Sequence, residues 1–368
     1  EAAGVDMSTE PTWTWEDFYQ ALKKVKEYTG SDYVWSDQYQ FGCTMNLAAS
    51  VYGVTGGNSQ DGGDWGLKDG MKFDFDKNEF YFADTTDEYK EYLTLFNKMY
   101  EEGILDPETF TQDSAQAQAK FYRGESYVLT VNYQQVADIQ SQNKMQVDGA
   151  DLYFMTTPGG PEGQMKLSSY AGRLENGIMI TTNALEELGE KEFIKMLRFI
   201  DWLWYSDEGQ TLCLWGVEGE TYTKDAEGTI TLNPDIYFNG INAGAEKQLN
   251  VDYGFGGGVF AYGGSKDLQY SKFSEGEKEW NERIDANKEN AKLMPPVLAD
   301  ELEKEEMNLI KVSLMDYVNT AALEFISGKR DLDKDWDAYV ADCESKGSTK
   351  YVDQANEIFE RTKDTLGY

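Results

Sequence analysis

The chain has 368 residues, 40% of them hydrophobic and 27% charged, enough for two lobes rather than one ordinary domain of roughly 100–200 residues. Its 67 acidic residues outnumber 33 basic ones, and the formal net charge of −34 disfavours nucleic acid and anionic membrane surfaces as partners. It contains no His, which excludes Ser-His-Asp and Cys-His nucleophiles and every His-containing zinc site.

No apolar run reaches the roughly 18–20 residues that a membrane-spanning helix needs. The sequence opens at Glu1 rather than Met, so any targeting segment is expected upstream. Cys43, Cys213 and Cys343 lie too far apart for C-x-x-C chemistry, and their odd number argues against a full disulfide framework; they read as buried thiols. Nine Trp, 24 Tyr and 18 Phe make up 14% of the chain. Most must fill a core. A Tyr-led excess also suits amphipathic ligands such as sugars, whose C–H faces stack on rings while their hydroxyls need hydrogen-bond partners. No cofactor is implied.

In chain order, Thr14 and Asp17 form a capping-box pair that starts a helix carrying Phe18, Leu22 and Val25, stopped by Gly30. Asp32 to Phe41 reads as a strand and then a loop, and Leu47 to Tyr52 as an apolar run. The glycine-rich stretch Gly56 to Gly63 belongs to a loop. Phe73, Phe75, Phe80 and Phe82 alternate around Asp76-Lys77-Asn78 as a β-hairpin would. Asp87 to Glu102 and Ser114 to Tyr122 are helical patterns ended by Gly103 and Gly124. Tyr127 to Val131, Leu152 to Thr157 and Gly177 to Thr182 read as strands. Glu192 to Tyr205 is the most strongly periodic helix. Residues 216–300 read as irregular, and Asp300 to Ser327 and Tyr351 to Leu366 as helices. The alternation defines an α/β chain.

Five stretches in this order resemble carbohydrate-type extracellular solute-binding proteins of ABC importers. They are Trp13-Thr14-Trp15-Glu16-Asp17-Phe18, then Glu102-Gly103-Ile104-Leu105-Asp106-Pro107, then Phe121-Tyr122-Arg123-Gly124-Glu125 with Val128 to Asn132. Tyr205 to Gln210 with Trp215 to Tyr222 follows, and Phe325 to Leu332 with Trp336 and Tyr339 closes the series. The last two are similar to the large lipoprotein branch of Gram-positive bacteria. The resemblance implies a periplasmic-binding-protein-like (type II) two-lobe fold, with residues 1–174 and 223–368 in the second lobe. Residues 175–222 would belong to a partial first lobe whose N-terminal part is missing. It also implies a monomer that is not an enzyme, partnered by a carbohydrate and an ABC permease, and held outside the cell by a lipid anchor in the missing segment.

Such proteins close two lobes around a ligand. The resemblance puts ligand-facing loops at Trp35, Asp37, Gln38, Tyr39 and Gln40, at Asn132, Tyr133 and Gln134, and at Tyr170 and Arg173. Arg173 has the forked geometry to grip a carboxylate or adjacent hydroxyls. Trp215 with Glu218, and Tyr253 with Phe255, are further candidates, although each aromatic can equally be core. Some relatives carry an aspartate-rich calcium loop after the first helix. Glu27 to Asp32 lacks that alternation, so no metal site is expected. The glycines of 254–264 do not fit G-x-G-x-x-G, which argues against phosphate binding. Two alternatives stay open: a glycoside hydrolase, which needs two carboxylates and no His, and a surface carbohydrate-binding module.

Overall fold

The computed structural model describes residues 2–54, 69–131, 135, 136, 139, 144–166, 178–226, 228–239, 241, 242, 244–256, 266–271, 273, 275–290, 292 and 294–367. It divides into a large unit, Glu1–Thr130 with Gln146–Gly172 and Arg283–Tyr368, and a small unit, Val131–Met145 with Arg173–Glu282.

The large unit is built on helices that the sequence starts and stops explicitly. In helix Trp15–Thr29, Thr14 Oγ1 accepts from Asp17 N–H at 3.2 Å and Asp17 Oδ2 accepts from Thr14 N–H at 2.9 Å. Gly30 ends it at φ 67°, a left-handed conformation that glycine adopts without strain. Trp15, Phe18, Tyr19 and Leu22 form its buried face. Helices Asp87–Glu101, Glu301–Ile326, Trp336–Ser345 and Ser348–Leu366 pack beside it around one apolar core. Asn97 holds the end of the 301–326 helix by donating Nδ2 to Phe325 O at 3.1 Å and Ile326 O at 3.2 Å. Phe325 O also accepts from Gly328 N–H at 3.1 Å, so Asn97 adds to the backbone bonds that close this helix end.

The hairpin forms where the alternating Phe residues place it. Strands Met71–Asp74 and Glu79–Phe82 pair antiparallel, with Phe73 opposite Phe80. Both rings meet Phe359 edge-on, at 5.0 and 5.9 Å. The Asn356 amide accepts from Phe80 N–H at 2.6 Å and donates to Phe80 O at 2.9 Å, so the outer strand is tied to the last helix.

In the small unit, helix Ala184–Tyr205 is interrupted at Gly189 and followed by helix Asp207–Trp215, which Ser206 caps by accepting from Gly209 N–H. Leu214 and Trp215 pack with Tyr222, Leu232, Ile236, Phe238, Leu249 and Leu268. Short ladders join Tyr222–Lys224 to Ile230–Leu232 and Ile236–Tyr237 to Lys247–Gln248. The same unit leaves Ile194, Leu197 and Phe199 exposed on its long helix, and Met179 is 96% exposed.

Several expectations need correcting. By their contacts, Arg173–Glu282 group with Val131–Met145, and the chain after Trp215 folds back to bury that indole. Residues 216–300 are less irregular than they read, since they hold these ladders and helix Glu275–Asn287. The apolar run 47–52 is part of helix Gly42–Tyr52. Residues 152–157 and 178–182 join no ladder among the described residues. Cys343 is buried, but Cys43 and Cys213 are partly exposed. The loop 56–63 lies outside the described residues.

Candidate functional site

The large unit holds three short parallel segments, with residues 34–36 between 104–106 and 126–128. Trp35 N–H donates to Ile104 O at 3.0 Å, Asp106 N–H to Trp35 O at 2.8 Å, and Tyr127 N–H to Val34 O at 2.9 Å. In α/β proteins, ligands gather beyond the carboxyl ends of parallel strands. Here those ends lead into residues 36–41, 106–112 and 129–130.

Beneath these loops lies a buried polar network. Asp37 is 0% exposed; one carboxylate oxygen accepts from Thr130 N–H at 2.7 Å and the other from the Thr44 hydroxyl at 2.5 Å. Its own N–H donates to Thr109 Oγ1 at 2.6 Å, and Gln112 Nε2 donates to its carbonyl at 3.0 Å and to Ser36 Oγ at 2.8 Å. Ser36 Oγ donates to Asp106 Oδ2 at 2.7 Å, which Lys120 Nζ also reaches at 2.6 Å. Burial raises the Asp37 pKa, while the hydrogen bonds from Thr44 and Thr130 act in the opposite direction. Gln38 is buried as well, donating to Thr130 O at 2.5 Å and accepting from Gln118 at 2.9 Å. Both side chains thus hold the loop from inside.

Trp35 turns away from the loop tips, edge-on to Phe18 at 5.3 Å and Phe41 at 5.1 Å in the core. Tyr39 and Gln40 are the half-exposed part of the loop. Tyr39, Gln40 and Phe41 are consecutively left-handed, at φ 56°, 49° and 67°. Such a conformation costs a side-chain-bearing residue about 1 kcal/mol or more and persists only when its surroundings enforce it. Fully buried Phe41 enforces it here, packing edge-on against Trp35, Phe96 and Phe110. Tyr39 N–H donates to Ser114 Oγ at 3.4 Å. Among the described residues, the Gln40 amide has no protein hydrogen-bond partner. The result is a strained, half-exposed Tyr39-Gln40 tip above a buried base, and a tyrosine ring with an amide is a pair of groups suited to an amphipathic ligand.

In the small unit, Trp215 is core, its indole N–H donating to Ser271 Oγ at 3.1 Å. Glu218 is exposed on the following turn. Gly216 sits at φ 86°, where a Cβ would meet Thr221 and Phe255, so Phe255 packs close against this turn. Half-buried Tyr253 carries Lys247 Nζ 5.9 Å from its ring centre. Asn132, Tyr133, Gln134, Tyr170 and Arg173 lie outside the described residues. Sequence reasoning did not single out Thr44, Thr109, Gln112, Gln118 or Thr130, which complete the base. Only Thr130 fell within a quoted motif. Among the described residues, no group of three or more Cys, Asp or Glu is placed to hold a metal, and no helix is long and apolar enough to cross a membrane.

No protein-family model matches the sequence. The chain is 26% identical over 224 residues to lipoprotein LipO of Bacillus subtilis strain 168, covering 60% of this chain and 41% of that protein, about two fifths of its length. Among solved structures it is similar to the alginate-binding protein AlgQ2, with TM-score 0.61, 14% identity, and coverage of 95% of this chain and 68% of that one. It is similar to a solute-binding protein of Bifidobacterium longum infantis described as binding HMO and associated with an ABC transporter (TM-score 0.57, 17% identity, 95% of this chain and 70% of that one). It is also similar to FusA, an ABC-transporter substrate-binding protein of S. pneumoniae in complex with kestose (TM-score 0.54, 16% identity, 99% and 70% coverage). The fold is therefore the α/β, two-lobe fold of solute-binding proteins.

Proposed function

We propose that this chain captures an extracellular carbohydrate, an oligosaccharide in preference to a single sugar, and delivers it to an ABC permease without altering it. The strained Tyr39-Gln40 tip, held at the ends of three parallel segments, is the observation that carries the reading. A stacking ring beside an amide suits the C–H faces and hydroxyls of a sugar. The reading also draws on the fold it shares with the alginate-binding, HMO-binding and kestose-bound proteins. Asp37 itself is no candidate for a hydrolytic carboxylate, because with both oxygens occupied and no exposure it cannot flank a glycosidic bond as acid or nucleophile. Asn132, Tyr133, Gln134, Tyr170 and Arg173 are proposed to complete the contacts, with a monomeric protein tethered outside the cell by a lipid anchor.

The test is a thermal-shift screen against neutral and acidic oligosaccharides, followed by calorimetry and chromatography of the recovered sugar. A binding glycan at about 100 times its Kd adds about 2.7 kcal/mol to stability. Tyr39→Ala is expected to weaken that glycan at least tenfold, with the sugar recovered intact. Shortened products would reject transport, and undiminished affinity in Tyr39→Ala would remove the tip from the site.

A further inference from the structure

Glu10 stands outside every motif considered so far, yet it is buried and charged. Its Oε1 accepts from Thr156 N–H at 2.5 Å and Thr156 Oγ1 at 2.8 Å, and its Oε2 accepts from Tyr153 OH at 2.8 Å and Arg283 Nη1 at 3.0 Å. Four donors occupy the carboxylate. Arg283 is held in turn: Nη2 donates to Phe154 O at 2.6 Å, Nη1 also meets Tyr153 OH, and the guanidinium lies 4.8 Å from the Tyr153 ring centre. Such a planar, multiply bonded arginine has a defined position as well as a charge.

Arg283 is the first residue of the large unit after the chain returns from the small one, and it lies within helix Glu275–Asn287. The next residues are fastened too. Asp285 pairs with Lys166 at 2.6 Å, and buried Lys288 donates to Gln164 Oε1 at 2.8 Å. Glu289 N–H donates to Gln164 O and Lys166 N–H to Glu289 O, both at 2.8 Å. Gln164 Nε2 then reaches Thr12 O at 2.6 Å and Trp13 O at 3.0 Å. Residues 10–13, 153–166 and 283–289 thus form one polar clamp inside the large unit, at the return point of the chain.

We propose that Glu10 is a positioning residue whose pairing with Arg283 fixes the chain where it re-enters the large unit, so that residues 283–289 stay with the large unit when the small unit moves. The proposal rests on the binding-protein reading, in which such movement accompanies ligand capture. Loosening the clamp frees 283–289 from the large unit and widens the range of inter-unit distances.

The test uses ligand-free protein with Cys43, Cys213 and Cys343 replaced by Ser and spin labels on exposed Lys334 and Lys195, one in each unit. In Glu10→Gln, the inter-unit distance distribution by pulsed electron resonance is expected to broaden about twofold. Amide exchange in residues 283–289 is expected to rise at least tenfold, while helix Glu301–Ile326 keeps its parent rate. An unchanged distribution, or faster exchange spread through the 301–326 helix as well, overturns the proposal, since the second result marks general loosening. If Glu10→Gln fails to fold, Arg283→Lys, which keeps the charge but loses the fork, carries the same measurements and the same criteria. Neither readout contains a sugar, so a failed glycan screen leaves this result separately readable.

Discussion

Gln40 holds φ 49° between two other left-handed residues, and among the described residues its amide has no protein hydrogen-bond partner. Gln40→Gly is therefore expected to stabilise the chain by up to about 1 kcal/mol, the relief of the left-handed cost less the extra freedom of the unfolded glycine. The same change should weaken glycan binding. Urea denaturation beside calorimetry checks both, and a gain in stability with full affinity would make the tip ornamental. A second residue-scale expectation concerns Glu303, whose carboxylate meets both Arg361 guanidinium nitrogens at 2.7 Å. Arg361, followed by the Asp300 N–H, lowers its pKa to about 2 from the ordinary 4.5. A lowered carboxylate pKa means the unfolded chain takes up the proton first. Its stabilisation is complete above about pH 4.5 and lost as pH falls toward about 2. Glu303→Gln should flatten the melting temperature against pH in that window and leave the slope above pH 6 unchanged. Exposure of the pair keeps the effect small. Asp37 shows why residue roles were hard to read from sequence: an acid before Gln-Tyr-Gln looks like a ligand contact, and only Thr44 from the next helix, with Thr109 and Thr130 from distant positions, makes it a sealed strut.

Elements with local signals were the legible ones. The Thr14–Asp17 box, the phenylalanine alternation of 71–82 and the periodicity of 87–101, 301–326 and 348–366 each state their conformation within a few residues, and each formed. Thr14→Ala should cost about 1 kcal/mol by leaving the Asp17 N–H without its acceptor, measured by thermal circular dichroism. A control at exposed Thr349, where no side-chain cap is made, should cost much less. What failed to show was set by distant partners. The run 47–52 is apolar in either conformation, and it is helical because its Ala48, Ala49 and Val51 side chains all find core neighbours. The three parallel segments are two or three residues long, too short for a period of two to register in sequence. Trp215 was ambiguous for the same reason: its burial depends on residues 222–268 folding back over it.

At the scale of the whole molecule, the net charge of −34 decides what kind of ligand can approach freely. The field of so many carboxylates extends about 10 Å at 0.1 M salt and contracts to about 3 Å at 1 M. A neutral oligosaccharide feels none of it. Its affinity and association rate are expected to stay within about twofold between 20 mM and 500 mM salt, because stacking on Tyr39 and hydroxyl contacts involve no net charge. An anionic oligosaccharide must enter against the field, so its association rate should rise with added salt as the repulsion is screened. Stopped-flow measurements on a matched neutral and uronate pair separate the two. If the uronate instead binds more tightly at low salt, a local cation outweighs 34 net negative charges. Arg173→Gln would then be expected to abolish that preference, and the carbohydrate proposed here would be an acidic one.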